Sequence, residues 1–177
     1  LYEEKKSDKP PAMPTGRMQR GVDLEPIARE LFNLKTKKNM VPEVVVKDWT
    51  MASLDGLDQW GDILEIKCPG EKDHALALEG KIPEYYYPQL QHQMYVCDIN
   101  EMYYFSYDGL DGVIVNVERD DNYIAKMLDK EIEFYECLIN RIPPKLTEHD
   151  YIQRDDAEWI YYAEEWRDIK SQIRKLE

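Results

Sequence analysis

The stretch Ile63-Leu-Glu-Ile-Lys-Cys68 constrains this chain more than any other. Apolar and charged residues alternate along it, the pattern of a β-strand, and Pro69-Gly70 ends it. Side chains alternate across a strand, so Glu65 and Lys67 share one face while Leu64, Ile66 and Cys68 share the other. The charged pair is then either an exposed pair on a sheet edge or part of a metal-dependent site.

A second acid bears on that choice. Asp55 ends an apolar strand and precedes Gly56, and the Gly/Asp-rich turn GLDQWGD carries the chain back toward Glu65. Two carboxylates converging at the ends of adjacent strands repel each other unless a cation lies between them. Oxygen ligands of this kind suit Mg²⁺ or Mn²⁺. A lysine two residues beyond the second acid could orient a water or stabilise negative charge growing on a phosphate.

Around this pair the sequence predicts a helix from about Thr15 to Thr36, on which Leu24, Ala28, Leu31 and Phe32 form an apolar face. Pro26 should kink that helix or restart it, with Asp23 as cap. Glu25 borders the apolar face, either paired with Arg29 on the solvent side or turned toward the acids. Residues 43–56 read as one or two strands and 63–68 as another, followed by a polar loop to about Pro83. Residues 84–99 read as a helix on which Tyr87, Leu90, Met94 and Cys97 form an apolar stripe. Beside it Tyr86, Gln89 and Gln93 make a polar face at i, i+3 and i+7, either solvated or aimed at the acidic cluster to bind a substrate. A hairpin over 101–108 and 112–118 and two long helices, about 121–142 and 155–175, complete the order. That order predicts an α+β fold, with one mixed central sheet flanked by helices, in a single domain over residues 1–177. Residues 1–14 read as a loop or arm and 121–177 as C-terminal helices.

Composition excludes several classes. With 43% hydrophobic and 11% aromatic residues the chain is globular, and no run approaches the roughly 18 apolar residues of a membrane span. Three scattered cysteines, Cys68, Cys97 and Cys137, fit reduced buried thiols and not a disulfide framework or a four-cysteine cluster. His74, His92 and His149 lack zinc-ligand spacing. The formal net charge is −13, yet residues 1–38 hold nine Lys or Arg against six acids. A polyanionic partner would therefore be met near the N-terminal third.

Four segments, GVDLEPIARELF (21–32), MASLDGL (51–57), LEIKCP (64–69) and YYYPQLQHQMYV (85–96), occur in this order at suitable spacing. Together they resemble the phage lambda exonuclease, or YqaJ-type viral recombinase, branch of the PD-(D/E)xK nucleases. The resemblance runs from about Gly21 to Glu118. It implies a restriction-endonuclease-like core and a metal-dependent deoxyribonuclease. In that family the positions matching Asp55 and Glu65 hold a catalytic divalent cation with the backbone carbonyl at Ile66. The position of Glu25 completes a second metal site with Asp55, giving two Mg²⁺ or Mn²⁺ ions. Lys67 matches the lysine that positions or activates the attacking water. Tyr86 and Gln89 match helix residues near the scissile phosphate, and Ser53 matches a serine of the phosphate-binding region. Gln93 is expected to contact DNA on its helical spacing with Tyr86 and Gln89 alone.

The resemblance further implies 5′ to 3′ digestion of linear double-stranded DNA from a free end, leaving 3′ single strands for recombination by strand annealing. It implies a ring-shaped homotrimer, a single-strand annealing protein as partner, and the cytoplasm of a bacterial host. Leu54 stands where the motif's name places Pro, which leaves the metal-binding Asp intact. The family segment with an arginine for the 5′-phosphate is expected to precede Leu1. Two other readings stay open: a structure-specific or restriction-type endonuclease, and a non-catalytic acidic module that mimics DNA. The second predicts loss of at least one of Glu25, Asp55, Glu65 and Lys67, and all four are present.

Overall fold

The computed structural model describes residues 15–151 and 154–175. The expected N-terminal arm, with Lys5, Lys6 and Lys9, lies outside the described residues, as do the side chains of Arg17 and His149. The chain folds as α1 (Gly16–Thr36), β1 (Val41–Lys47), β2 (Thr50–Leu57), β3 (Ile63–Lys67), α2 (Glu71–Leu78), α3 (Tyr87–Cys97), β4 (Glu101–Tyr107), β5 (Gly112–Glu118), α4 (Asp121–Asn140) and α5 (Ala157–Arg174). This is the α+β architecture read from the sequence. The five strands form one mixed sheet in the order β1-β2-β3-β4-β5, antiparallel except for the parallel pair β3 and β4. A parallel pair needs a long crossover, and α2 and α3 provide it.

Strand β3 therefore sits at the centre of the sheet, and its edge-strand alternative is ruled out. Its two faces feed two cores. Leu64 and Ile66 pack with Ala28 and Phe32 of α1 and with Phe105 and Tyr107 of β4. Ile63 packs on the opposite face with Leu90 and Met94 of α3 and with Leu54, Tyr104 and Val115. Complete burial of side chains such as Phe32, Leu64, Leu90 and Phe105 stabilises by about 1.5–3 kcal/mol each.

Two expectations need correction, and one open alternative is settled. Pro26 does not restart the first helix: α1 runs through it, and the cap is Thr15 and not Asp23, the Thr15 hydroxyl accepting from Met18 N at 3.4 Å. Residues 71–78 are helical and not loop, because Ala75 and Ala77 favour helix and Ala77 packs into the core beside Leu90. Strands β1 and β2 are distinct, joined by a tight turn at Asp48, whose φ is 55°.

Candidate active site

A local failure of strand pairing builds the site. Strands β2 and β3 pair only at Gly56↔Leu64 and Leu57↔Ile63, then separate. On its other side β2 carries a bulge: Leu57 faces Val41 and Leu54 faces Glu43, so three steps on β2 match two on β1. A bulge re-aims the residues it contains, here Asp55 and Gly56. Glycine is required at 56, since a Cβ there would lie 2.7 Å from the Met40 Cβ and 3.2 Å from the Leu64 Cβ. Where the ladder opens, the Asp55 side chain substitutes for the missing strand: its Oδ2 accepts from Ile66 N at 2.7 Å.

Glu65 projects into the opening from β3 and is 2% exposed. A buried carboxylate is tolerated only with donors around it, and α3 supplies them. Oε1 accepts from Gln89 Nε2 at 2.7 Å and from Lys67 Nζ, while Oε2 accepts from Gln93 Nε2 at 2.6 Å. Lys67 Nζ also donates to Gln89 Oε1 at 3.2 Å and lies 5.1 Å from the centre of the Tyr86 ring. The ammonium is thus held on three sides.

Glu25 reaches the same place from α1, across the sheet. A cleft of about 380 Å³ is lined by Gly21, Glu25, Ser53, Asp55, Glu65, Ile66, Lys67, Cys68 and Gln89. Glu25 pairs with Arg29, whose Nε donates to the Asp55 carbonyl at 2.5 Å. Both readings of Glu25 are met at once: it pairs with Arg29, and it lines the cleft. Burial pushes the Cys68 thiol up to about 11, which favours its protonated form over the thiolate.

The electrostatics are uneven. Burial, followed by the Glu65 carboxylate, pushes the Asp55 carboxyl up to about 7, against the pull of the Ile66 N–H. Such a carboxyl sits in an excess of negative charge that a cation would relieve. Among the described residues no group of three or more His, Cys, Asp or Glu is drawn together to hold an ion by itself. The donor set is instead the carboxylates of Asp55 and Glu65 with the backbone oxygens beside them, all hard oxygen, and it fits a divalent cation that keeps several of its waters.

The fold brings Glu25, Ser53, Asp55, Glu65, Ile66, Lys67 and Gln89 into the one cleft. Tyr86 stands just behind, its ring under Lys67. Gln93 does not reach the cleft; it is 2% exposed and bonded to Glu65, so it cannot touch DNA as the helix pattern led us to expect. Sequence reasoning missed Arg29 as a contributor. Its signal was the Glu25–Arg29 spacing of four, read only as a surface pair.

Among the described residues, several cations of the N-terminal third are engaged within the protein. Arg20 donates to the carbonyls of Pro69 (3.3 Å) and Asp108 (2.9 Å), Lys35 pairs with Asp111, and Lys38 pairs with Asp58 and Asp62.

A family profile, the YqaJ-like viral recombinase domain, matches residues 1–100. Among solved structures the chain is similar to LHK-Exo in complex with dAMP, with 29% identity, 74% of this chain and 72% of that one covered, and a TM-score of 0.66. It is also similar to the alkaline exonuclease LHK-Exo from Laribacter hongkongensis, at 28% identity over 73% and 72% of the two chains, with a TM-score of 0.64. A phage related exonuclease from Haemophilus somnus 129PT shares the fold at 16% identity, with 80% of each chain covered and a TM-score of 0.59. No curated protein matches the chain.

Proposed function

We propose that this chain, which belongs to the YqaJ-like viral recombinase domain family, is a divalent-cation-dependent exonuclease that digests one strand of linear double-stranded DNA in the 5′ to 3′ direction. The observation that carries the reading is the opened β2–β3 ladder, which gathers Asp55, Glu65 and Lys67 in one cleft with Glu25. A purely structural hairpin has no reason to hold two repelling acids at a gap in its own pairing. The similar solved proteins are called exonucleases, and one holds dAMP, a nucleotide of the kind an exonuclease releases.

Mg²⁺ or Mn²⁺, held by Asp55, Glu65 and the Ile66 carbonyl, with Glu25 and Asp55 for a second ion, would polarise the scissile phosphate and lower the pKa of an attacking water. Lys67 then has two tasks open to an ammonium fixed in place. It orients that water, or it stabilises charge that grows on the phosphate oxygens in the transition state. Gln89 holds Lys67 and Glu65 in register and presents its amide to the phosphate. Tyr86 limits the motion of Lys67 from behind, and Ser53 lines the entrance where the DNA backbone would pass.

The reading extends to the whole chain as one nuclease domain that assembles into a ring-shaped trimer and hands 3′ strands to an annealing protein. Large apolar side chains left exposed on α4 and α5, among them Ile132, Ile139, Trp159, Trp166 and Ile173, support an assembly. Sedimentation should find a trimer at micromolar concentration, and a stable monomer that still digests processively would rule the ring out.

The function is tested by offering 5′-phosphorylated linear duplex, its 5′-hydroxyl form and closed circles, with Mg²⁺, Ca²⁺ or EDTA. Linear 5′-phosphorylated duplex should be consumed in Mg²⁺ only, and circles should survive. Loss of circles would point to an endonuclease, and full activity in EDTA would overturn the metal site.

A further inference from the structure

We infer that Gln93 is a positioning residue: it fixes Glu65, and the width of the gap between β2 and β3, from inside the core. The inference rests on the reading of the cleft as a cation site. Gln93 lies on the buried side of α3, 2% exposed, and is absent from the cleft lining. Its amide nitrogen donates to the Ser53 carbonyl on β2 at 3.2 Å and to Glu65 Oε2 on β3 at 2.6 Å. Those two strands have stopped pairing by this point, the last matched residues being Gly56 and Leu64. One side-chain amide therefore bridges the opening where the backbone ladder no longer does.

The chemistry fixes which way the amide faces. Both partners are acceptors only, a carbonyl oxygen and a carboxylate oxygen, so the NH₂ end must point at them. The cost is visible at the other end: Gln93 Oε1 is buried without a hydrogen-bond partner. A buried polar atom left unpaired destabilises the fold, and any apolar residue of similar length would remove that penalty. The donors must therefore do something that an apolar side chain cannot.

What they do follows from the division of labour at Glu65. Oε2 is tied to Gln93, and Oε1 is shared between Gln89 and Lys67, the two residues that line the cleft. Holding Oε2 inward leaves the carboxylate a single orientation, with Oε1 toward the cleft. Partners behind a ligand fix its direction, and their removal typically weakens metal binding by about 10–100-fold.

The test is a Mn²⁺ titration of the full chain without DNA, read by electron paramagnetic resonance, for the parent, Gln93→Met and Gln93→Asn. Both variants should melt as single cooperative transitions in EDTA. Gln93→Met should bind Mn²⁺ at least about tenfold more weakly, its DNA-cleavage loss should be recovered by raising Mn²⁺, and its KM for DNA should be unchanged. Gln93→Asn keeps the donors one methylene short and should fall between Met and parent. A folded variant with parental Mn²⁺ affinity would overturn the inference, and if Gln93→Met does not fold, Gln93→Asn decides by the same measure. A parent that binds Mn²⁺ and cleaves DNA while the variants match it sinks the role of Gln93 alone; a parent that binds no Mn²⁺ sinks the site, and the inference with it.

Discussion

Two acidic clusters sit on the same β2–β3 hairpin, and they are built on opposite terms. At the closed end, Asp58 Oδ1 accepts from Trp60 N at 2.9 Å and Asp62 N at 3.0 Å, and Oδ2 accepts from Lys38 at 3.3 Å. Burial alone would push the Asp58 carboxyl up, but the two backbone N–H groups and the Lys38 ammonium outweigh it and hold it below its ordinary value. At the open end, Asp55 has one backbone donor against burial and a facing Glu65, and it is pushed up to about 7. Each cluster has a lysine near an aromatic ring, Lys38 over Tyr103 at 5.4 Å and Lys67 over Tyr86 at 5.1 Å. The difference lies in the donors each carboxylate receives. Both oxygens of Asp58 are satisfied, which holds the turn together, whereas the buried Asp55 has one donor and faces a second carboxylate, the condition for taking up a cation.

Exchanging the two lysines' fates is the strongest way to break this comparison. Lys67→Ala should lower DNA hydrolysis by roughly 10²–10⁴-fold while leaving Mn²⁺ and DNA binding in place, because a group acting mainly in the transition state affects turnover more than affinity. Asp55→Asn should lose both cleavage and Mn²⁺ binding. Lys38→Ala should leave hydrolysis near the parent rate and destabilise the fold by about 1–3 kcal/mol, since it strips a donor from the buried Asp58. Initial rates on 5′-phosphorylated duplex and urea melts in EDTA check both. If folded Lys67→Ala digests at the parent rate, the two lysines are alike and the contrast fails.

Smaller effects should appear in pH dependence, with opposite signs. In the metal-free protein the folded chain keeps a proton on Asp55 up to about 7, while in the unfolded chain a carboxyl has released it by about 3.9. The folded state then binds more protons across that window, so this group's contribution to stability falls as pH rises from about 4 to about 7 and levels off above. Asp58, held low, contributes stability above the ordinary carboxyl range and loses it as pH falls through its folded value. Urea midpoints in EDTA from acid to neutral pH should show Asp55→Asn removing the decline toward neutrality, and Asp58→Asn removing part of the loss in acid. Identical slopes in the two variants would show that the clusters share one electrostatic character.

Much of this was legible in the chain itself. Alternation in ILEIKC made β3 a strand with Glu65 and Lys67 on one face, and the helical spacing of Leu90 and Met94 put α3 on the sheet. Those readings rest on local periodicity, which needs only sequence neighbours. Four ordered motifs carried the family resemblance, and the match over residues 1–100 agrees with it. The helix at 71–78 escaped because its short, charged sequence has little periodicity, and its stability comes from Ala77 packing against a distant core.

What the tertiary structure alone decided is how the charged residues meet. No local pattern shows that β2 and β3 stop pairing after Gly56↔Leu64, that a bulge re-aims Asp55, or that Glu25 arrives from the opposite face of the sheet. The same holds for Gln93, whose i, i+7 relation to Tyr86 placed it on the polar face of a helix. Gln93 itself is buried, because the partner it serves is Glu65, 28 residues away in the chain, while Gln89 on the same face lines the cleft. Alternation and helical period determine which way a side chain points from its own backbone. Whether it then meets water, another charge or a donor is set by the elements packed opposite, and those are chosen by burial over the whole chain.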